Sequence, residues 1–195
     1  MPTAFPNSSR LSLTIDGRPS PDIAAALLRW ELGERPKDTV NGELEVSSAG
    51  AAASAIGSLR LGASIGLTLA SERVFDGQLL ALEGRVSASD VPSVILQLKG
   101  TRPPEIRQAG SLPPALRIGI DILQAQVRQE RSPVVFRLSA ETTGDFATGS
   151  AAMRVGTVVG LVGMGPLFDG PFQLERVALR YDETRGLSVA VTGQR

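Results

Sequence analysis

Two aspartates invite a chemical reading. Asp76 and Asp169 each sit inside a Phe-Asp-Gly triplet, at 75–77 and 168–170. Paired carboxylates on either side of a sugar bond are the equipment of a glycosidase. The same triplet in two places fits turn chemistry better: Asp hydrogen-bonds its own turn and Gly takes the unusual φ. Glu83 and Glu175 follow in related segments, and a structural role is expected of them too. Gly160-x-x-Gly163-x-Gly165 resembles a phosphate loop only loosely. The dinucleotide fingerprint needs G-x-G-x-x-G between a strand and a helix. Here the order differs and a strand follows, so a hairpin turn is expected. Arg60 and Arg154 stand at matching places and could face a lumen, pair with acids or end a solvated strand. Trp30 lies on an apolar face and reads as core.

The composition narrows the chemistry further. The 195 residues contain no His and no Cys. That removes Ser-His-Asp and Cys-His catalysis, thiolate and imidazole metal sites, and disulfides. The remaining metal ligands are carboxylates without EF-hand spacing. No catalytic, metal-binding or cofactor-binding residue is therefore assigned, and an enzyme is not expected. Lys+Arg and Asp+Glu number 20 each and aromatics make up 4%. Neither a basic field nor a stacking platform for nucleic acid is indicated. Hydrophobic residues at 42% suffice for a real core. MPTAFPNSSR at the start has no apolar run, so no signal peptide is expected. The uncharged stretch Val155–Phe168 holds four glycines and is too short for the roughly 18 apolar residues of a membrane span. A soluble protein made in the cytoplasm is expected.

Positioning elements follow from alternation. Leu11, Leu13 and Ile15 mark a strand ended by Asp16-Gly17. Ser20-Pro21-Asp22 starts a helix that IAAALL carries for a turn or two. Trp30 and Leu32 resume a strand, and Pro36 and Asn41-Gly42 predict the hairpin loop before Leu44 and Val46. The segment 47–57, SSAGAAASAIG, reads as an exposed loop. Strands are predicted at 63–70 and 74–87 with Phe75-Asp76-Gly77 at the turn, then through Val94, Leu96 and Leu98 until Gly100 ends it. TRPPEIRQAGSLPP (101–114) carries four prolines and is the best linker. Ile118, Ile120 and Ile122 alternate, which favours a strand over 116–128, although Ala115, Ile118, Ile122 and Ala125 also fit a helical face. Strands at 134–140, 156–163, 171–181 and 187–192 complete an all-β chain.

An internal repeat runs through it. Arg60-Leu61-Gly62-Ala63-Ser64-Ile65-Gly66-Leu67 aligns with Arg154-Val155-Gly156-Thr157-Val158-Val159-Gly160-Leu161 at an offset of 94, with four identities. The Phe-Asp-Gly triplets match at 93, as do Val94, Leu96, Leu98 and Gly100 with Leu187, Val189, Val191 and Gly193. Glycines kept in place mark where strands begin, bend or approach closely. The expected organisation is two tandem β-barrels, 1–100 and 116–195, joined by the linker 101–115, with at most one short helix per repeat.

The segment RVFDGQLLALEGRVSASDVPSVILQLKG (73–100) resembles the first barrel of phage late control protein D. That fold family includes the hubs of VgrG-type spikes and of contractile injection systems. The tail of the chain is similar to the family's last barrel through Thr143-Gly144-Asp145, Arg154-Val155-Gly156, the run Gly163 to Gly170 and Tyr181-Asp182. The resemblance implies a shortened baseplate hub or tube initiator without the middle and spike domains. It implies tail-tube-type barrels, two per chain, so that three chains form a pseudo-six-fold ring joining a three-fold spike to a six-fold tail tube. Expected partners are other copies in a homotrimer, a tail-tube protein, a spike protein and other baseplate proteins, assembled in a virion tail or tail-like particle. Neither a membrane span nor sequence-specific nucleic-acid binding is expected. Two alternatives stand beside it: a hexameric tail-tube or tube-terminator protein, and a carbohydrate-binding or carboxylate-type hydrolase module.

Overall fold

The computed structural model describes residues 11–37, 39–69, 72–86, 91–103, 115–117, 120–131, 134–143, 153–182 and 184–195. The fold is all-β, as expected. By its contacts the chain divides into two compact units. The first comprises Met1–Leu32, Thr39–Pro104 and Tyr181–Gly186, and the second Gly33–Asp38, Glu105–Arg180 and Leu187–Arg195. Each unit thus includes one hairpin tip whose strands are otherwise counted with the other.

In the first unit, β1 (Leu11–Ile15) and β2 (Arg18–Pro19) are joined by Asp16-Gly17, with φ of 49° and 77°. Positive φ at both central residues is the turn whose twist matches flanking strands. Helix α1 (Pro21–Ala25) begins after Ser20 with Pro at its start and buries Ile23. It ends a turn earlier than the IAAALL run allowed, because Leu27 already opens β3 (Leu27–Arg35). Then come β4 (Thr39–Ser47), α2 (Ala51–Gly57), β5 (Ser64–Leu69), β6 (Glu72–Arg85) and β7 (Ser93–Thr101). Their spatial order is β2-β1-β5-β6-β7-β4-β3. Alternation points Trp30, Leu32, Val40, Leu44, Val46, Leu96 and Leu98 inward.

Three expectations are corrected here. Asn41-Gly42 is not the hairpin loop but lies within β4. The turn falls at Pro36-Lys37, where Lys37 has φ 74°. Gly42 is there for space: a Cβ would stand 2.9 Å from Leu32 Cδ2 and 3.2 Å from Leu98 Cβ. The segment 47–57 is not all loop. Residues 51–57 form α2, with Ala52 and Ile56 buried one turn apart on one face, so the first unit alone carries two short helices. Phe75-Asp76-Gly77 is not a turn either. It sits inside β6, paired with Leu67, Gly66 and Ile65 of β5. Gly77 faces Gly100 of β7, and a Cβ on Gly100 would lie 2.1 Å from the Asp76 carbonyl oxygen. The triplet's glycine is required by close backbone approach, and Gly100 lies within β7 rather than at its end.

The second unit has β8 (Ala115–Arg117), β9 (Ile122–Arg131), β10 (Val134–Thr143), β11 (Val158–Val162), β12 (Gly170–Asp182) and β13 (Gly186–Gln194). The order is β12-β13-β10-β9, with β11 on β12 and β8 parallel to β11. The strand reading of 116–128 holds in outline, but Ile120 is 68% exposed in the turn before β9 rather than alternating along a strand. The Arg117 carbonyl accepts from the Asp121 N–H at 3.0 Å, and the Asp121 carboxylate accepts from the Arg117 N–H at 3.2 Å, which closes that turn. Ile118, residues 104–114 of the linker, and Gly144-Asp145 lie outside the described residues. Leu116, Leu138, Val159, Phe172, Leu174 and Val189 form the core. Burying a side chain such as Phe172 contributes about 1.5–3 kcal/mol.

Candidate functional site

Each carboxylate considered for hydrolysis has structural work. Asp76 accepts from Arg73, at 2.8 Å to Nε and 2.6 Å to the terminal nitrogen. Asp169 accepts the backbone N–H groups of Gly163 and Met164 at 3.0 and 2.8 Å. Glu83 pairs with Arg85 at 3.2 Å and Glu175 with Arg137 at 3.5 Å. The two aspartates are not equivalent, since one lies in mid-strand and the other closes a loop. Among the described residues no group of three or more acids could hold a metal ion.

The glycine run has the same outcome. Gly163 and Gly165 have φ of 106° and 98°, and the Gly165 carbonyl accepts from the Phe168 and Asp169 N–H groups. A phosphate loop offers free N–H groups to an anion. Here the N–H groups of Gly163 and Met164 already serve the Asp169 carboxylate, so the loop supplies its own anion. Arg195 seals the far side, donating to the carbonyls of Leu167 and Asp169 and lying 4.5 Å over the Phe136 ring.

Where the two units carry the repeat, their geometry matches. Gly62 and Gly156 have φ of 86° and 81°. The Gly62 N–H donates to the Leu79 carbonyl at 2.8 Å, and the Gly156 N–H to that of Leu174 at 2.8 Å. Ala63 and Thr157 each donate back to the carbonyl of Arg60 and Arg154 at 3.1 Å. The offset of 94 is therefore structural for this turn. The Phe-Asp-Gly match at 93 is not. Leu67 pairs with Phe75, whereas its counterpart Leu161 pairs with Gly170. That makes Phe75 the counterpart of Gly170, so the second triplet reaches β12 only with its glycine, and Phe168 and Asp169 fall in the preceding loop.

The repeated arginines differ in occupancy. Arg154 donates through Nε to both carboxylate oxygens of Glu34, at 3.0 and 3.1 Å. Glu34 is 3% exposed and stands at the tip of the β3–β4 hairpin. Arg60 is exposed and has no carboxylate partner among the described residues. It lines a pocket of about 350 Å³ in the first unit with Arg18, Asp16, Ser20, Ser58 and Leu59. Sequence reasoning missed the Glu34–Arg154 pair because its members are 120 residues apart. Trp30 is core, 2% exposed and stacked on Tyr181 with centroids 6.3 Å apart. Its Nε1 has no hydrogen-bond partner among the described residues.

Strand β9 ends its sheet, and β10 is the strand it pairs with. It is ten residues long with Gln124, Gln126, Arg128 and Gln129 exposed. An edge that pairs with a single strand among the described residues offers a row of backbone donors and acceptors to another chain.

Among solved structures, the 43 kDa tail protein of prophage MuSo2 from Shewanella oneidensis matches with a TM-score of 0.64 and 9% identity, the match spanning 95% of this chain and 96% of that one. The tail protein from Neisseria meningitidis MC58 matches with a TM-score of 0.67 and 8% identity over 95% and 96%. The fold is that of phage tail proteins. The Escherichia coli c3393 protein, described as a type VI secretion component similar in structure to the T4 bacteriophage tail proteins gp27 and gp5, matches at 0.60 and 11% over 93% and 76%. No family model and no curated protein sequence matches the chain.

Proposed function

We propose that this chain is a structural component of a phage tail or contractile injection machine, acting as a baseplate hub or tube initiator. In this reading residues 1–100 and 116–195 are two tube-type barrels flanking the linker 101–115. Three copies close a ring with six similar faces, joining a three-fold spike to a six-fold tube. A head-to-tail ring closes only if its interfaces repeat around the axis. The observation that carries the proposal is the duplicated turn of Arg60–Ala63 and Arg154–Thr157, with the same backbone bonds in both units. A tail-protein fold, the place of β9 at the end of its sheet and the structural use of every carboxylate considered all support an assembly role over a catalytic one.

The test is the stoichiometry of the isolated assembly and the rotational symmetry of the particle containing it. A trimer with pseudo-six-fold averages supports the hub. A hexamer overturns it in favour of a tube or terminator protein. A monomer that binds or cleaves glycans, and loses this on Asp76→Asn or Asp169→Asn, overturns the assembly reading altogether.

A further inference from the structure

The hairpin that fills Arg154 has a counterpart in the second unit. The first strand of the β3–β4 hairpin ends Glu34-Arg35, followed by Pro36. The first strand of the β9–β10 hairpin ends Glu130-Arg131, followed by Ser132-Pro133. Both glutamates are the last residue but one before the turn. Their environments differ as docked and undocked copies of one device would. Glu34 is 3% exposed on Arg154. Glu130 is 36% exposed and pairs with Arg137 at 3.0 Å. Arg137 also lies 3.5 Å from Glu175, so it keeps a carboxylate if Glu130 turns away.

The arginines form the complementary pair. Arg154 and Arg60 occupy the same position of the same glycine turn, one satisfied and the other open beside Arg18 in the pocket of the first unit. The Asp16 carboxylate in that pocket accepts from the Ser64 N–H at 2.9 Å, and Arg18 and Arg60 are the two cationic residues of its lining. We propose that Glu130 of a second copy of this chain docks on Arg60 in this pocket, reproducing between chains the Glu34–Arg154 contact made within one. This rests on the ring reading above and names the residues that would close it. Charge-assisted pairing of a carboxylate with guanidinium gives register as well as affinity.

The chain has no cysteine, so a clean cross-link is available. The double variant Arg60→Cys, Glu130→Cys of the full chain is treated with a short bis-maleimide, alongside each single variant. Dissociation constants of Arg60→Glu, Glu130→Arg and the double reversal are measured by sedimentation. The expected result is a cross-link between copies. Each single reversal should weaken self-association by roughly tenfold or more, and the double reversal should recover most of it. An assembly that forms with unchanged affinity in the single reversals, or a cross-link confined to one chain, overturns this contact and leaves the ring standing. A wild-type chain that stays monomeric overturns the ring, and this contact with it. The cross-link does not depend on the charge-reversed variants folding.

Discussion

At the scale of single residues, the buried Glu34–Arg154 pair concentrates the electrostatics of the second unit. Removing one member of a buried pair leaves the other charge in a poor solvent, which usually costs about 3–5 kcal/mol. Arg154→Ala should therefore lower the denaturant midpoint far more than the double change Glu34→Leu, Arg154→Met, which removes both charges together. A midpoint shift for Arg154→Ala no larger than for Arg85→Ala, a surface pair, would refute this. Asp182 makes a milder case. It accepts from the Thr184 hydroxyl and from the Thr184 N–H at 2.8 Å. These bonds, the hydroxyl first, hold its carboxyl below the usual carboxylate range. A depressed folded pKa contributes stability above the unfolded pKa and loses it as pH falls through the folded value. The turn should thus weaken only in acid, and solvent exposure keeps the effect small. Thr184→Ala should raise the Asp182 pKa in a carboxyl NMR titration, and an unmoved titration would count against the hydroxyl.

At the scale of elements, the strands were legible because alternation is a local signal: Leu11–Ile15, Trp30 with Leu32, and Leu44 with Val46 all fall where period two put them. What failed was the reading of glycine and of small residues. Phe75-Asp76-Gly77 and Asn41-Gly42 have turn composition, yet their glycines answer to a neighbouring backbone or side chain that no local pattern reveals. The segment 51–57 looked flexible through low complexity, although Ala is the best helix former and Ala52 and Ile56 had helical spacing. The Glu34–Arg154 contact had a trace in sequence, the Glu-Arg before a proline in both hairpins, but no pairing could be read from it. Space, not φ, should therefore decide tolerance within the strands. Gly77→Ala and Gly100→Ala put a methyl against backbone and should cost at least the roughly 1–3 kcal/mol of an overpacked core. Gly84→Ala and Gly160→Ala, with nothing within 4 Å of the added carbon, should stay within about 0.5 kcal/mol. Thermal melts of the four variants check this, and equal losses in all four would show that strand flexibility rather than close approach is responsible.

At the scale of the whole molecule, the proposed ring requires a surface that is open in the isolated chain and covered on assembly. Strand β9 is the element on which this can be measured. Its partner β10 lies between β9 and β13 and has bonds on both sides, whereas among the described residues β9 is paired on one side. The polar face of β9 is the usual protection of an edge against indiscriminate pairing. Amides whose only partner is water exchange quickly, and those in a two-sided ladder exchange through larger openings. In the isolated chain, alternate amides of Ile122–Arg131 should exchange rapidly while those of Val134–Thr143 are retained. If the proposed ring forms through this edge, the fast β9 amides should slow on assembly, because a neighbour's backbone or a docked hairpin then covers the edge, and β10 should change little. Hydrogen exchange read by mass spectrometry across the assembly transition decides the matter. If β9 exchanges equally fast in the monomer and in the assembled particle, the edge is not an assembly surface, and the contacts must lie at the hairpin tips alone.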